Sequence, residues 1–330
     1  MLPYMRKSLA FLHVFRQTIC RKTGIRWGAT TFERSFSLDR KIALQLRNQE
    51  PWRETAKEMA EAGFEYVAFA FGDERPLLKD NWRAYVGDVA DAFAGLGLKC
   101  VQTHAPYYDL LISAEKRDEG METALIRSVE ATRILGAEIC AVHPRSFITE
   151  GAPRETAVDR GRSLTENLVS FRPLVAECER RNVLLGIENL MKYPFAHPYF
   201  YSWIADDHAE LIDRLESENV CAVWDFGHAN LVDDDHAERI RKLGHRIKGT
   251  HVHNNTGRED EHFPPFLPEP NSYYVRRSVD WRATLAALKS TGFDGFLTLE
   301  TVFNYAYPMN GYVKYLHEST EVLYDILANT

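Results

Sequence analysis

From Gly24 onward the chain alternates two hydrophobic patterns. Short runs are apolar at nearly every position, as a strand buried on both faces requires. Between them lie longer stretches whose apolar side chains recur every three or four residues, the stripe of a helix packed on one side. The runs predict strands at 24–32, 66–71, 99–103, 139–142, 184–187, 221–224, 247–252 and 296–299. Helices are predicted near 52–62, 82–96, 117–135, 154–181, 208–218, 236–243, 281–290 and 311–327, with Gly63 and Gly97 placed to close the first two. Eight strand-then-helix units make a closed parallel sheet ringed by helices, a (β/α)8 TIM barrel over about 24–330. An open doubly wound sheet would bring a glycine-rich phosphate turn after an early strand, and neither GxGxxG nor GxxxxGKS/T occurs.

Residues 1–23 stand outside this rhythm. Arg6, Lys7, Arg16, Arg21, Lys22 and Arg26 precede the first acid, Glu33, which is the balance of a transit peptide. A single serine and the lack of a small-residue cleavage site favour a flexible or amphipathic extension instead. The five cysteines are scattered without a CxxC, so they read as reduced core residues of a cytoplasmic protein and not as metal ligands. No apolar run approaches the roughly 20 residues that cross a bilayer. A net charge of −7 argues against nucleic acid as the default partner. Self-association into a homo-oligomer is compatible with all of this.

Chemistry in such a barrel collects where strands end at the C-terminal rim. Those positions hold His104, His143, Glu188, Asp225, His251 or His253, and Glu300, with His228 following in WDFGH. Imidazole and carboxylate suit zinc, manganese or magnesium. Each residue alone has an ordinary structural reading. His104 and His143 could be hydrogen-bonded core histidines, Asp225 a helix cap, and Glu300 the partner of an arginine. Six consecutive strand ends of ligand type, two of them glutamates interrupting apolar runs, favour a site. The densest stretch is IKGTHVHNNTGREDEH at 247–262, where His251 and His253 share a strand face and a polar turn can fold Asp260 and His262 back over them.

In series, THAPY (103–107), AVHP (141–144), GIEN (186–189), WDFGHAN (224–230), KGTHVHN (248–254), DEH (260–262) and LTLET (297–301) carry a resemblance. The chain resembles the xylose isomerase-like barrel superfamily, which holds sugar phosphate isomerases and epimerases together with endonuclease IV-type DNA-repair enzymes. The resemblance implies a central metal site of Glu188, Asp225, His251 and Glu300. It implies a second position of His104 and His143 sharing Glu188, and a third of His228, Asp260 and His262. One to three divalent ions, manganese, zinc, magnesium or cobalt, would follow. The chain departs from the pattern at Asn254, where an aspartate is common, at Pro264-Pro265-Phe266-Leu267-Pro268, where Gly-Glu-Gly is usual, and at Arg145, where a glycine is frequent.

The expected activity is isomerisation or epimerisation of a sugar or sugar phosphate, with Glu188 and Glu300 as the acid/base pair. His228, His253 and Arg258 would hold hydroxyls or a phosphate, and Tyr107, Trp224, Phe226 and Tyr305 would form sugar-facing walls. The alternatives are metal-assisted hydrolysis of an abasic-site phosphodiester and dehydration of a cyclic polyol ketone. The Arg276-Arg277 pair is too small a basic feature to grip DNA and reads as solvated surface.

Overall fold

A computed structural model describes residues 40–112, 118–195, 198–232, 234–302 and 309–330. The chain divides into Met1–Arg40 and Lys41–Thr330, and the second unit carries the barrel. The 1–23 extension and the strand expected at 24–32 lie outside the described residues.

Eight parallel strands form one sheet: β1 Ile42–Arg47, β2 Tyr66–Ala70, β3 Lys99–His104, β4 Ile139–Val142, β5 Leu184–Glu188, β6 Val220–Asp225, β7 Ile247–His251 and β8 Leu297–Leu299. They pair in the order β8-β1-β2-β3-β4-β5-β6-β7. Just past β7, Val252 N donates to Thr298 O at 2.7 Å, and Glu300 N donates to Val252 O at 3.1 Å, which joins the two ends of the ladder. The first strand is therefore Ile42–Arg47, held by β8 on one side and β2 on the other. Its sequence IALQLR hides it: Leu, Ala, Gln and Arg are good helix formers, and the inward positions Gln45 and Arg47 are polar.

The other strands fall where the apolar runs place them, and helices separate them. Gly63 closes Trp52–Ala62 in a left-handed conformation, φ 101°. The helix expected from 154 begins at Arg160, capped by Asp159, after a short 3₁₀ turn at Arg154–Thr156. The helix expected from 208 begins at Ala205. Two short strands, Leu111–Ile112 and Ser146–Phe147, pair above the rim between the third and fourth units. Cys100, Cys140, Cys178 and Cys221 are buried and free. Among the described residues no helix is long and apolar enough to cross a membrane.

Candidate functional site

Strand side chains alternate, so residues two apart share the inward face. On β3, β5, β6 and β7 that face carries Gln102 then His104, Gly186 then Glu188, Val223 then Asp225, and Gly249 then His251. The lower members close the interior. A Cβ on Gly186 would lie 2.5 Å from Val223 Cγ2 and 2.8 Å from Ile139 Cγ2, and one on Gly249 would lie 2.6 Å from Gln102 Oε1. The upper members, with Glu300 just past β8, are almost wholly buried.

These upper groups converge. His251 Nδ1 lies 2.9 Å from Glu188 Oε2, 3.1 Å from Glu300 Oε2 and 3.9 Å from Asp225 Oδ2. Yet neither ring nitrogen of His251 makes a hydrogen bond among the described residues, and Glu188 Oε1 also has none. Buried polar atoms aimed at a common point without a hydrogen bond between them suit a cation. Glu188 Oε2 is also 3.2 Å from His104 Nε2 and 3.2 Å from His143 Nε2. A third group holds His228, His253, Asp260 and His262, with His228 Nε2 3.3 Å and His262 Nε2 3.1 Å from Asp260 Oδ2.

The outer contacts of the histidines fit the same purpose. His104 Nδ1 is 2.7 Å from Ala105 O, His228 Nδ1 is 2.8 Å from Asn189 O, and His262 Nδ1 is 2.9 Å from Glu300 O. A carbonyl accepts only from N–H, so each Nδ1 carries a proton, and Nε2, which faces the carboxylates, is the nitrogen left to take a second proton or a cation. This is the usual second contact of a metal-binding histidine. Electrostatics agree. Burial disfavours the charged form of His251, but Glu188 and Glu300 outweigh it and push the ring up to about 9. His262 is likewise raised to about 9, against its burial, chiefly by Asp260. Burial alone would raise Glu188, yet His251 holds it well below the usual carboxylate range. The cluster thus calls for positive charge at its centre, which protons or a divalent ion can supply. The residues present fit a metal.

Local structure positions each group. Asp225 Oδ1 accepts from His228 N at 2.6 Å and caps the short helix Phe226–Asn230. Asn189 clamps the end of β6, its Oδ1 accepting from Asp225 N and its Nδ2 donating to Asp225 O. After β7 the chain doubles back: Asn254 and Phe263 exchange backbone hydrogen bonds of 2.7 and 2.8 Å, and Glu261 accepts from both N and Oγ1 of Thr256. The side chain of Asn254 donates to Leu267 O and Ser278 Oγ, so this departure from the resembled pattern ties the loop down. The fold-back sets Asp260 and His262 beside His228, with His262 in a left-handed conformation, φ 51°.

A cavity of about 240 Å³ opens over the cluster, its wall including Arg47, Tyr107, His143, His228, His262 and Glu300. Tyr107 stands 4.9 Å from His104, ring centre to ring centre, and lies against Gly72, where a Cβ would be 2.6 Å from Tyr107 Cε2. Several expected contacts do not join this cavity. Trp224 is one residue from Asp225, so alternation turns it outward, where its indole N–H donates to His236 Nε2 at 3.1 Å. Phe226 packs on His236 and Trp281. Arg258 is exposed and donates to Tyr274 O. Tyr305 lies outside the described residues. Arg277 is folded into the loop, donating to Val232 O and Asp234 O, and is not free surface. Two groups were not anticipated. Gln45 Nε2 donates to Glu300 Oε1 at 2.8 Å, and Arg47 approaches the same oxygen at 3.6 Å. Both belong to β1, so only a correct placement of that strand would have found them.

Residues 56–318 match the family described as xylose isomerase-like TIM barrel. The chain belongs to that family. It is 29% identical over 199 residues to the uncharacterized protein y4fM of Sinorhizobium fredii, covering 60% of this chain and 56% of that protein. Among solved structures it is similar to the 3-keto-D-glucoside 4-epimerase YcjR of E. coli, with TM-score 0.64, 18% identity and coverage of 86% of this chain and 98% of that one. It is also similar to an AP endonuclease, family 2, from Brucella melitensis, with TM-score 0.58, 19% identity and coverage of 79% and 93%. At these identities the structural likeness concerns the fold.

Proposed function

We propose that the chain is a metal-dependent sugar or sugar-phosphate isomerase or epimerase that moves a proton on a carbon next to a carbonyl. The observation that carries this reading is the convergence of Glu188 and Glu300 on His251, 2.9 and 3.1 Å from Nδ1 with no hydrogen bond formed there. A divalent ion held by Glu188, Asp225, His251 and Glu300 would stabilise the enediolate charge that develops in such a reaction. Glu188 and Glu300, from β5 and the end of β8, take and return the proton. Gln45 and Arg47 hold one oxygen of Glu300, which leaves Oε2 to face the site. His104 and His143 face Glu188 Oε2 and fix its direction. Tyr107 forms a wall, and the cavity's 240 Å³ suits a small polyol. The epimerase neighbour supports this reading.

Elemental analysis of the purified protein, joined to a screen of aldoses and ketoses and repeated on Glu188→Gln and Glu300→Gln, tests it. Bound divalent metal and loss of turnover in both variants are expected; metal-free protein with unaffected variants would sink the assignment. A second reading, hydrolysis of a phosphodiester at an abasic site, is favoured by the presence of three adjoining donor groups and by the AP endonuclease neighbour. Cleavage of an abasic duplex at enzyme-like rates would put it first.

A further inference from the structure

We infer that a cleft on the outer shoulder of the barrel is a second ligand site, for an α-amino acid with a short branched side chain, and that its occupation acts on His143. The link to His143 rests on the proposed metal chemistry; the site itself does not. The cleft lies between the helices Glu119–Ile134 and Arg160–Arg181 and has a volume of about 90 Å³. Leu125, Phe171 and Leu174, all buried, give it an apolar floor, and the exposed Ile126 and Val169 form its lips. A cavity of about 150 Å³ takes benzene, so this one suits an alkyl branch of roughly three or four carbons.

Polar groups of both signs meet this apolar surface. The Arg145 guanidinium stacks over the Tyr108 ring, 4.6 Å from its centre, yet makes no hydrogen bond or carboxylate ion pair among the described residues. Its fork of N–H donors suits a carboxylate taken in two parallel bonds. Glu122 brings a carboxylate to the same cleft, and Pro173 lacks the N–H that the Val169 carbonyl would otherwise accept from one helical turn on. A carboxylate and a carbonyl short of its helical bond suit an ammonium. An α-amino acid carries both charges and the branch on one carbon. Arg145 stands where the resembled family frequently has a glycine, so the cation is a feature of this chain.

The route to His143 is short. Tyr108, in the cleft wall, donates its hydroxyl to the carbonyl of His143. Asn167, also in the wall, clamps the backbone of Arg145, its Oδ1 accepting from Arg145 N at 2.8 Å and its Nδ2 donating to Arg145 O at 2.7 Å. Among the described residues no carbonyl holds Nδ1 of His143, in contrast to His104, His228 and His262. The direction of its ring, with Nε2 3.2 Å from Glu188 Oε2, therefore follows this stretch of backbone.

Manganese-loaded full-length protein is titrated in a calorimeter with L-valine, then with isovalerate and isobutylamine, which lack the ammonium and the carboxylate respectively. Valine should saturate one site. Each analogue, and valine on Arg145→Gln, should bind at least about tenfold more weakly, the worth of one hydrogen bond to a charged group. No saturable binding of valine, isovalerate binding as well as valine, or an affinity untouched by Arg145→Gln would overturn the site. Should Arg145→Gln fail to fold by circular dichroism, a diazirine analogue of leucine decides on the wild type: a photo-cross-link within 119–134 or 160–181 supports the site and one elsewhere refutes it. Removing the metal should change the Arg145-dependent affinity by about fivefold or more, and equal affinities would cut the link to His143. Protein that turns over no sugar would defeat the functional reading, and the valine titration would still judge the site.

Discussion

The lower and upper halves of the barrel interior are built from the same strands, two residues apart, and are chemically opposite. Below, Ile139, Ala141, Cys221 and Val223 form an apolar cluster, and Gly186 and Gly249 yield the space that Ile139, Val223 and Gln102 fill. Above, the same inward face carries His104, Glu188, Asp225, His251 and Glu300, all nearly without solvent contact. Burying that many ionisable groups is costly unless each meets an opposite charge. The difference shows how a strand of period two can hold both in one barrel. The lower layer supplies a rigid, dry floor, so the upper groups can be fixed in direction by contacts from outside the ring, as Asn189 fixes Asp225 and Gln45 fixes Glu300.

The comparison can be broken from the top or from the bottom. The largest effect is expected for Glu188→Gln, which removes a charge facing His104, His143 and His251 at once. Initial rates of the proposed reaction should fall by roughly 10²–10⁴, the usual worth of an acid/base group, with the far-ultraviolet dichroism unchanged.

Next comes pH, where the upper layer and the barrel's outer wall should respond with opposite sign. His251 in the metal-free protein titrates at about 9, above its unfolded value. Its stabilisation is complete below about pH 6.5 and is lost as pH rises through 9. His208, behind β5 with Nε2 2.8 Å from Ile187 O, is held neutral by burial and lowered to about 4. Its contribution is present above about pH 6.5 and fades as pH falls to 4, a loss of about 3 kcal/mol. Urea midpoints of metal-free wild type and His208→Gln at pH 4, 7 and 9 check both signs. Metal uptake between pH 7 and 9 should also release protons, measurable with a pH-indicator dye.

Gly186→Ala acts on the floor and should cost about 1–3 kcal/mol by overpacking, partly restored by Val223→Ala in the same chain, as read from urea unfolding. The smallest change is expected for Arg47→Met. Its approach to Glu300 is 3.6 Å and Gln45 remains, so a loss within about 1 kcal/mol, or up to fivefold in rate, is expected.

Much of this architecture was readable in the chain because buried parallel strands are apolar throughout and their last residues are not. Glu188 and Glu300 stood out as charges closing apolar runs. The ordinary readings of the same residues were also sound: Asp225 does cap a helix and Glu300 does meet an arginine, so one carboxylate serves fold and site together. The first strand was misplaced because its composition is helical and its inward residues are polar; Gln45 and Arg47 were lost with it. Trp224 was assigned to the cavity although period two turns it away from Asp225's face. His253 belongs beside His262 through a reversal of the loop after β7, which depends on the amides of Asn254 and Asn255 and on no hydrophobic pattern.

Gly72 lies outside the ring of donors and has no side chain to offer a ligand, yet it sets the room available to one. With 2.6 Å between its missing Cβ and both Tyr107 and Gln49, any larger residue would have to displace the phenol, which lines the cavity, or the Gln49 amide. The aperture is thus governed by a position that never touches what passes through it. Selection for a bulkier or slimmer guest could act on the loop after β2 and leave every ionisable group of the interior where it stands.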